Sequence, residues 1–384
     1  MEKFPVLFEG SVKTVRGIEG KNPYIFEYTD QYSIFDWGEM PDLIEGKGES
    51  LGFIGNLFFD LLGNPNEWSD WQPSSSIAKK RFENSAILKE LTKDGVLHHC
   101  LGPVEESTNR LAVNPVKVIR PGSYQENNEL KWDYSAYQQK IEDSLVPLEI
   151  IFRFGVPQGS SLLKRTDSEI YRKEIGLNFS PKTHDIFEVP IIEYSTKLEP
   201  GDRYLPYQEA QSIAGLSNGE FQKLHELSSL VALRVKEYFR EIEIELWDGK
   251  FEFAFTKGDK YREGKERNFQ LVDSIGPDEL RLIYKGHHLS KENLRHYYDK
   301  TLWKEGVKKA QTLAKKRGIK DWKKICTEEL QLLPDKLDPK MKSNIEMMYQ
   351  SLAKTLGEKF HSRPIFKDAC TLNELVAKEH FGFK

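Results

Sequence analysis

The chain has 384 residues, 38% of them apolar and 12% aromatic, enough to furnish two or three domains with buried cores. A formal net charge of -4 excludes any global attraction to nucleic acid or anionic membranes, so an anionic ligand must be held by a local cluster. Cys100, Cys326 and Cys370 are far apart and odd in number, which argues against a disulfide framework or a zinc ribbon and fits a reducing compartment.

The opening Met1-Glu2-Lys3-Phe4-Pro5 has no signal-peptide core, and no apolar run approaches the roughly 20 residues that cross a bilayer, so a cytoplasmic protein without a membrane partner is expected. From Val6 to Tyr28 the pattern is short strands punctuated by glycine. Within it, Gly10-Ser11-Val12-Lys13 is a glycine turn followed by a lysine; it can cover nucleotide phosphates, or it can be an ordinary hairpin. Residues 50–64 repeat apolar positions at helical spacing despite Gly52 and Gly55 and predict a packing helix. Residues 64–76 are rich in Asn, Pro, Trp and Ser and read as a loop or insertion. A second polar stretch, 121–143, interrupts two strand candidates, 112–119 and 145–154. The latter is apolar and β-branched until it reaches Arg153, a strand-end arginine that can face a ligand cleft or pair with a surface acid.

Ser217 and Glu220 form a capping box for a helix whose core stripe is Phe221, Leu224, Leu227, Val231, Val235 and Tyr238. The most informative segment follows. In Asp248-Gly249-Lys250-Phe251-Glu252-Phe253, strand alternation puts Asp248, Lys250 and Glu252 on one side and Phe251, Phe253 and Phe255 on the other. A second strand, about 269–275, follows a polar loop containing Gly258 and Gly264, and pairing would bring Asp273 near Glu252. Two carboxylates beside a lysine suit a hard cation holding a polyphosphate. The competing reading makes Asp248-Gly249 a hairpin turn after a strand through Ile242, Ile244 and Leu246, leaving Lys250 and Glu252 solvated. Helices are expected near 291–317, 321–332 and 338–357; nine basic against two acidic residues between 304 and 324 read as a solvated face. His98-His99-Cys100 cannot easily share one ion, because neighbours on a strand point to opposite faces.

Taken together and in order, these motifs resemble the ATP-dependent SAICAR synthetases (phosphoribosylaminoimidazole-succinocarboxamide synthases). Gly10-Ser11-Val12-Lys13-Thr14-Val15 resembles the family's glycine-rich opening, and Asp30-Gln31-Tyr32-Ser33-Ile34-Phe35-Asp36 followed by Gly46-Lys47-Gly48 its Asp-Arg-x-Ser-x-Phe-Asp signature and Lys-Gly. Pro147-Leu148-Glu149 to Arg153 with Gly159-Ser160-Ser161, then Ser195-Thr196-Lys197 and Asp202, resemble the substrate motifs. Asp248-Gly249-Lys250-Phe251-Glu252-Phe253, Asp273 and Pro277-Asp278 with Arg281 complete the series.

The resemblance implies an α+β, two-lobed fold of the ATP-grasp/kinase-like kind, with an antiparallel sheet in the N-terminal lobe and nucleotide between the lobes; the C-terminal helices read from the sequence are an addition to it. It divides the chain into 1–144, a nucleotide-covering lobe; 145–300, a metal and substrate lobe; and 301–384, a helical extension. It implies ATP and Mg2+, with CAIR and L-aspartate joined through an acyl phosphate. Glu252 and Asp273 would be the metal ligands, and Gly10, Lys13 and Lys250 would serve the nucleotide. Arg153, Arg281 and Ser160 or Ser161 would grip the sugar phosphate, with Lys197 and Asp202 on the substrate side and Lys250, Asp248 and Asp202 at the chemistry. A homo-oligomer is compatible with the extra helices. The sequence departs from the family at Ser11, Gln31, Gly201 and Ser274, which leaves a related ligase with another carboxylate and amine, or a non-catalytic nucleotide-binding homologue, as the rival readings.

Overall fold

The computed structural model describes residues 4–105, 107–126, 129–256, 266–319, 321–378 and 381. The expected loop with Gly258 and Gly264 and the segment Met1 to Lys3 lie outside the described residues. The chain forms two compact units that interleave along the sequence: Met1–Leu57, Leu101–Asn114 and Gly276–Lys384 make one, and Phe58–Cys100 with Pro115–Ile275 the other.

In the first unit, β1 (Val6–Glu9), β2 (Lys13–Arg16), β3 (Tyr24–Tyr28), β4 (Cys100–Pro103) and β5 (Arg110–Val113) form a sheet in the order β1-β2-β3-β5-β4. The β1–β2, β2–β3 and β3–β5 pairs are antiparallel. Gly10 closes the β1–β2 connection by donating its N–H to the Lys13 carbonyl at 3.0 Å, so the glycine turn is a hairpin connection. The apolar run at 50–64 folds as the helix Lys47–Gly63. Gly52 and Gly48 are required by close approach: a Cβ would lie 2.3 Å from the Thr108 carbonyl and 2.7 Å from the Tyr28 carbonyl.

The stretch 64–76, expected to be loop, contains a short helix, Asn66–Ser69, because Trp68 is fully buried and donates its indole N–H to the Leu62 carbonyl. Likewise the polar stretch 121–143 carries a two-stranded hairpin, β6 (Gly122–Glu126) with β7 (Glu129–Asp133), whose β6 side chains are all exposed. With no apolar face to bury, that hairpin left no alternation to read.

The second unit is built on β8 (Leu148–Gly155), β9 (Ile186–Thr196), β10 (Tyr204–Leu205), β11 (Glu245–Thr256) and β12 (Asn268–Val272). Antiparallel pairing runs β10-β9-β8-β11, and β12 pairs with β11. Strand β11 continues through Asp248-Gly249, which pair with Arg153 and Phe152, so the Asp-Gly turn is overturned. Tertiary pairing on β8 holds extended a dipeptide that local chemistry would bend.

One face of this sheet is apolar. Phe152, Phe251, Phe253, Phe255 and Tyr194 are at most 1% exposed, and the Phe152 and Phe251 rings stack with centroids 4.6 Å apart. The helix Asn218–Arg240 begins at the expected capping box, with Ser217 and Glu220 bonded reciprocally, and Leu224, Leu227, Val231, Val235 and Tyr238 of its stripe are buried. In the first unit again, β13 (Leu280–Tyr284) pairs with β14 (His287–His288), and the helices Glu292–Tyr298, Leu302–Arg317 and Pro339–Phe360 follow, near the expected positions. No helix among the described residues is long and apolar enough to cross a membrane.

Candidate functional site

The other face of the second unit's sheet carries a row of charged side chains. The register sets Asp248 opposite Arg153 and Lys250 opposite Ile151 across β8–β11, and Glu149 opposite Ser195 and Ile151 opposite Glu193 across β8–β9. Side chains directly across a ladder share a face, so Glu149, Arg153, Glu193, Asp248, Lys250 and Glu252 project to one side. All but Lys250 are nine-tenths buried or more. Buried charges persist only when paired, and here they form two groups.

In the first group, Glu149 Oε1 accepts from Lys250 Nζ at 2.6 Å and Lys197 Nζ at 3.3 Å, and Lys197 also donates to Glu252 Oε1 at 2.5 Å. Burial opposes ionisation of Glu149, but Lys250 and Lys197 outweigh it and hold the carboxyl below its usual range. Glu252 goes the other way: burial and the nearby Asp273 carboxylate push it up, against the pull of Lys197. Burial also opposes the charge on Lys197, yet Glu252, Glu149 and Asp273 overcome it and raise the ammonium above its usual value.

Asp273 reaches this group by an unexpected route. The residue opposite Glu252 is Val272, so a regular strand would turn Asp273 to the far side. Instead β12 ends at Val272, and Asp273 takes a left-handed backbone at φ +68°, a conformation Asp tolerates better than most residues. The break in alternation brings its carboxylate within electrostatic reach of both Glu252 and Lys197.

The second group centres on Arg153. Its Nε donates to Glu193 Oε2 at 2.5 Å, Nη1 to Asp248 Oδ2 at 3.0 Å and Nη2 to the Tyr204 hydroxyl at 3.1 Å. Burial opposes its charge, but Glu193 and Asp248 more than restore it. Arg165 shares Glu193 through Nε at 2.9 Å and stacks its guanidinium 3.5 Å above the centre of the Tyr204 ring. The Ser161 Oγ lies 3.5 Å from the Tyr204 hydroxyl, whereas the buried Ser160 Oγ accepts from the Leu162 N–H.

The structure thus brings Lys250, Glu252, Asp273 and Lys197 into one cluster and Asp248, Arg153 and Ser161 into the next. Lys197, expected on the substrate side, sits between Glu149 and Glu252. Asp202 is exposed on the connection from β9 to β10. Gly10, Lys13 and Arg281 belong to the first unit; Lys13 Nζ lies 4.2 Å over the Phe26 ring and Arg281 pairs with Glu292 at 3.3 Å. Sequence reading assigned no role to Glu149, Glu193, Arg165 or Tyr204. Single acids inside apolar strands, such as Glu149 before Ile150-Ile151-Phe152 and Glu193 after Ile191-Ile192, are the signal that could have found the first two, because an acid is buried there only with a partner.

A family model for SAICAR synthetase matches residues 6–317. The chain belongs to the SAICAR synthetase family. It is 32% identical over 347 residues to an Archaeoglobus fulgidus protein named "Putative phosphoribosylaminoimidazole-succinocarboxamide synthase", covering 89% of this chain and 91% of the relative. To the phosphoribosylaminoimidazole-succinocarboxamide synthase of Thermoplasma acidophilum it is 25% identical over 356 residues, 90% and 98% of the two chains. The fold is similar to that of the SAICAR synthase of Saccharomyces cerevisiae in complex with SAICAR, with a TM-score of 0.55 at 16% identity over 94% of this chain and 96% of that one. As a SAICAR synthetase it is an ATP-dependent ligase, and the reaction of the family is the joining of CAIR and L-aspartate in purine biosynthesis. The α+β fold with antiparallel sheets expected from the resemblance is the fold observed.

Proposed function

We propose that this SAICAR synthetase carries out its ligation on the polar sheet face of the second unit, with Glu252 and Asp273 as the ligands of a nucleotide-bound Mg2+. The donor set fits: Mg2+ takes hard oxygen ligands and is commonly held by one or two carboxylates together with substrate phosphates. Among the described residues no group of three or more His, Cys, Asp or Glu is placed to enclose a metal by itself, which agrees with an ion held jointly with a polyphosphate. Mg2+ bound there supplies charge neutralisation between phosphate oxygens during phosphoryl transfer.

In this reading Lys250 and Lys197 offset phosphate charge, and Glu149 holds both ammonium groups in place. The CAIR carboxylate attacks the γ-phosphorus, ADP leaves, and the resulting acyl phosphate is opened by the aspartate amine with loss of phosphate. Asp248 and Glu193 orient Arg153 toward the sugar phosphate, and Ser161, linked to Arg153 through Tyr204, is the serine of the pair assigned to it. Asp202 is assigned to the amine substrate, and the roles of Gly10, Lys13 and Arg281 rest on the resemblance alone. The free cysteines accord with a cytoplasmic setting.

The observation that carries the proposal is the left-handed turn at Asp273, a local backbone cost that sets a second carboxylate beside an already buried one. Glu252→Gln and Asp273→Asn should each lower Mg2+-dependent ADP formation with CAIR and aspartate by on the order of 100-fold or more. The ligand-free protein should change little in stability in Asp273→Asn, since relieving Glu252 of a like charge offsets the attraction that Lys197 loses. Unchanged turnover in both variants would reject the assignment; turnover only with a different acid or amine would keep the site and change the substrate.

A further inference from the structure

The helix Pro339–Phe360 lies beyond residue 317, where the family match ends, and it is tied to two of the motifs that carry the resemblance. Glu346 Oε1 accepts the Glu45 N–H and Gln350 Nε2 donates to the Glu45 carbonyl, both at 3.1 Å, one residue before Gly46-Lys47-Gly48. Between them on the same helical face, the Tyr349 hydroxyl donates to Asp278 Oδ1 at 2.6 Å. The other oxygen, Asp278 Oδ2, is 3.0 Å from Lys47 Nζ, and Lys47 is fully buried. That contact is a buried ion pair to one carboxylate oxygen, with Lys291 adding positive charge, so the other oxygen needs a donor of its own. Tyr349 supplies it.

A buried Lys–Asp pair is a poor source of net stability, because desolvating both charges offsets their attraction. What such a pair does well is fix geometry. Asp278 sits in the turn closed by the Gly276 carbonyl, which accepts from the Glu279 and Leu280 N–H groups, and this turn begins β13. Arg281 is the second residue of β13, with its Nη2 3.3 Å from Glu292 Oε2.

We propose that Tyr349 is a positioning residue: together with Lys47 it holds Asp278, and through Asp278 the strand start that carries Arg281, so that the C-terminal helix sets the affinity for the phosphorylated substrate. The inference rests on the reading of Arg281 as a sugar-phosphate ligand. Tyr349→Phe removes one oxygen and keeps the ring. It should raise KM for CAIR by roughly three- to tenfold, only part of the worth of one hydrogen bond to a charged group because the effect reaches Arg281 through Asp278, while kcat and KM for ATP stay within about twofold. Lys354→Ala is the control: Lys354 is on the same helix, and its Nζ donates to the carbonyl of Ala369 in the segment after it, so the change loosens the helix's packing without touching the Asp278 carboxylate. Arg281→Ala tests the underlying reading by itself. A rise in KM for CAIR with Arg281→Ala and Tyr349→Phe but not with Lys354→Ala supports the inference. A rise with Arg281→Ala alone, or an equal rise with Lys354→Ala, overturns it. No rise with Arg281→Ala shows that the reading of Arg281 has failed instead.

Discussion

Replacing Arg153 by lysine tests whether the buried guanidinium is held by the protein itself before any substrate arrives. Arg153 makes three hydrogen bonds in different directions, to Glu193 at 2.5 Å, Asp248 at 3.0 Å and Tyr204 at 3.1 Å, and is 5% exposed. An ammonium is a single point donor at the end of a flexible stem and cannot span that fork, so at least two of the three bonds are lost. With hydrogen bonds to charged groups worth about 1.5–3 kcal/mol each, Arg153→Lys should destabilise the ligand-free protein by roughly 3–5 kcal/mol. Arg203 provides an internal scale: it pairs with Glu199 and Glu209, but its side chain is 45% exposed, so Arg203→Lys should cost less than about 1 kcal/mol. The assay is the urea midpoint and slope of each variant without ligand. If Arg153→Lys shifts the midpoint no more than Arg203→Lys does, the guanidinium is not held by this network. A rise in KM for CAIR beside the stability loss is expected if the same group also meets the sugar phosphate.

Two further tests address the frame around the site. His225 is kept neutral: burial, reinforced by Arg81, pushes it down to about 4, with its Nδ1 3.2 Å from the Tyr194 hydroxyl. A lowered base binds protons more readily when unfolded, so its contribution is complete above about pH 6.5 and is lost as pH falls through about 4, by up to about 3 kcal/mol. Thermal midpoints across that window should fall for the native protein and flatten in His225→Phe; parallel slopes would contradict the assignment. Gly95 ends the helix Ala86–Asp94 at φ 67° and ψ -172°, and a Cβ there would lie 2.1 Å from the Gly63 carbonyl oxygen. Gly95→Ala should therefore cost at least about 2 kcal/mol, and a urea midpoint near that of the native protein would show that the turn can relax.

Much of the fold was legible wherever one face is buried and the other wet. The alternation in β11 survives in the structure because its phenylalanines meet the apolar side of the sheet. The capping box at Ser217 held because the two reciprocal bonds are local and need no partner from elsewhere in the chain. The hairpin at 121–143 and the short helix around Trp68 were hidden for opposite reasons: the first buries no face, and the second is fixed by a single anchored side chain.

The sequence alone determined the family, since collinear motifs preserve side-chain type and spacing, and it determined the strand that carries Lys250 and Glu252. Tertiary structure decided how those charges pair. That Asp248 belongs with Arg153, that Lys197 bridges Glu149 and Glu252, and that Asp273 returns to Glu252 by leaving the strand are consequences of register and backbone conformation. The reason is that a buried charge must find its partner across strands up to a hundred residues apart in sequence, and local pattern carries no record of which strands will be neighbours.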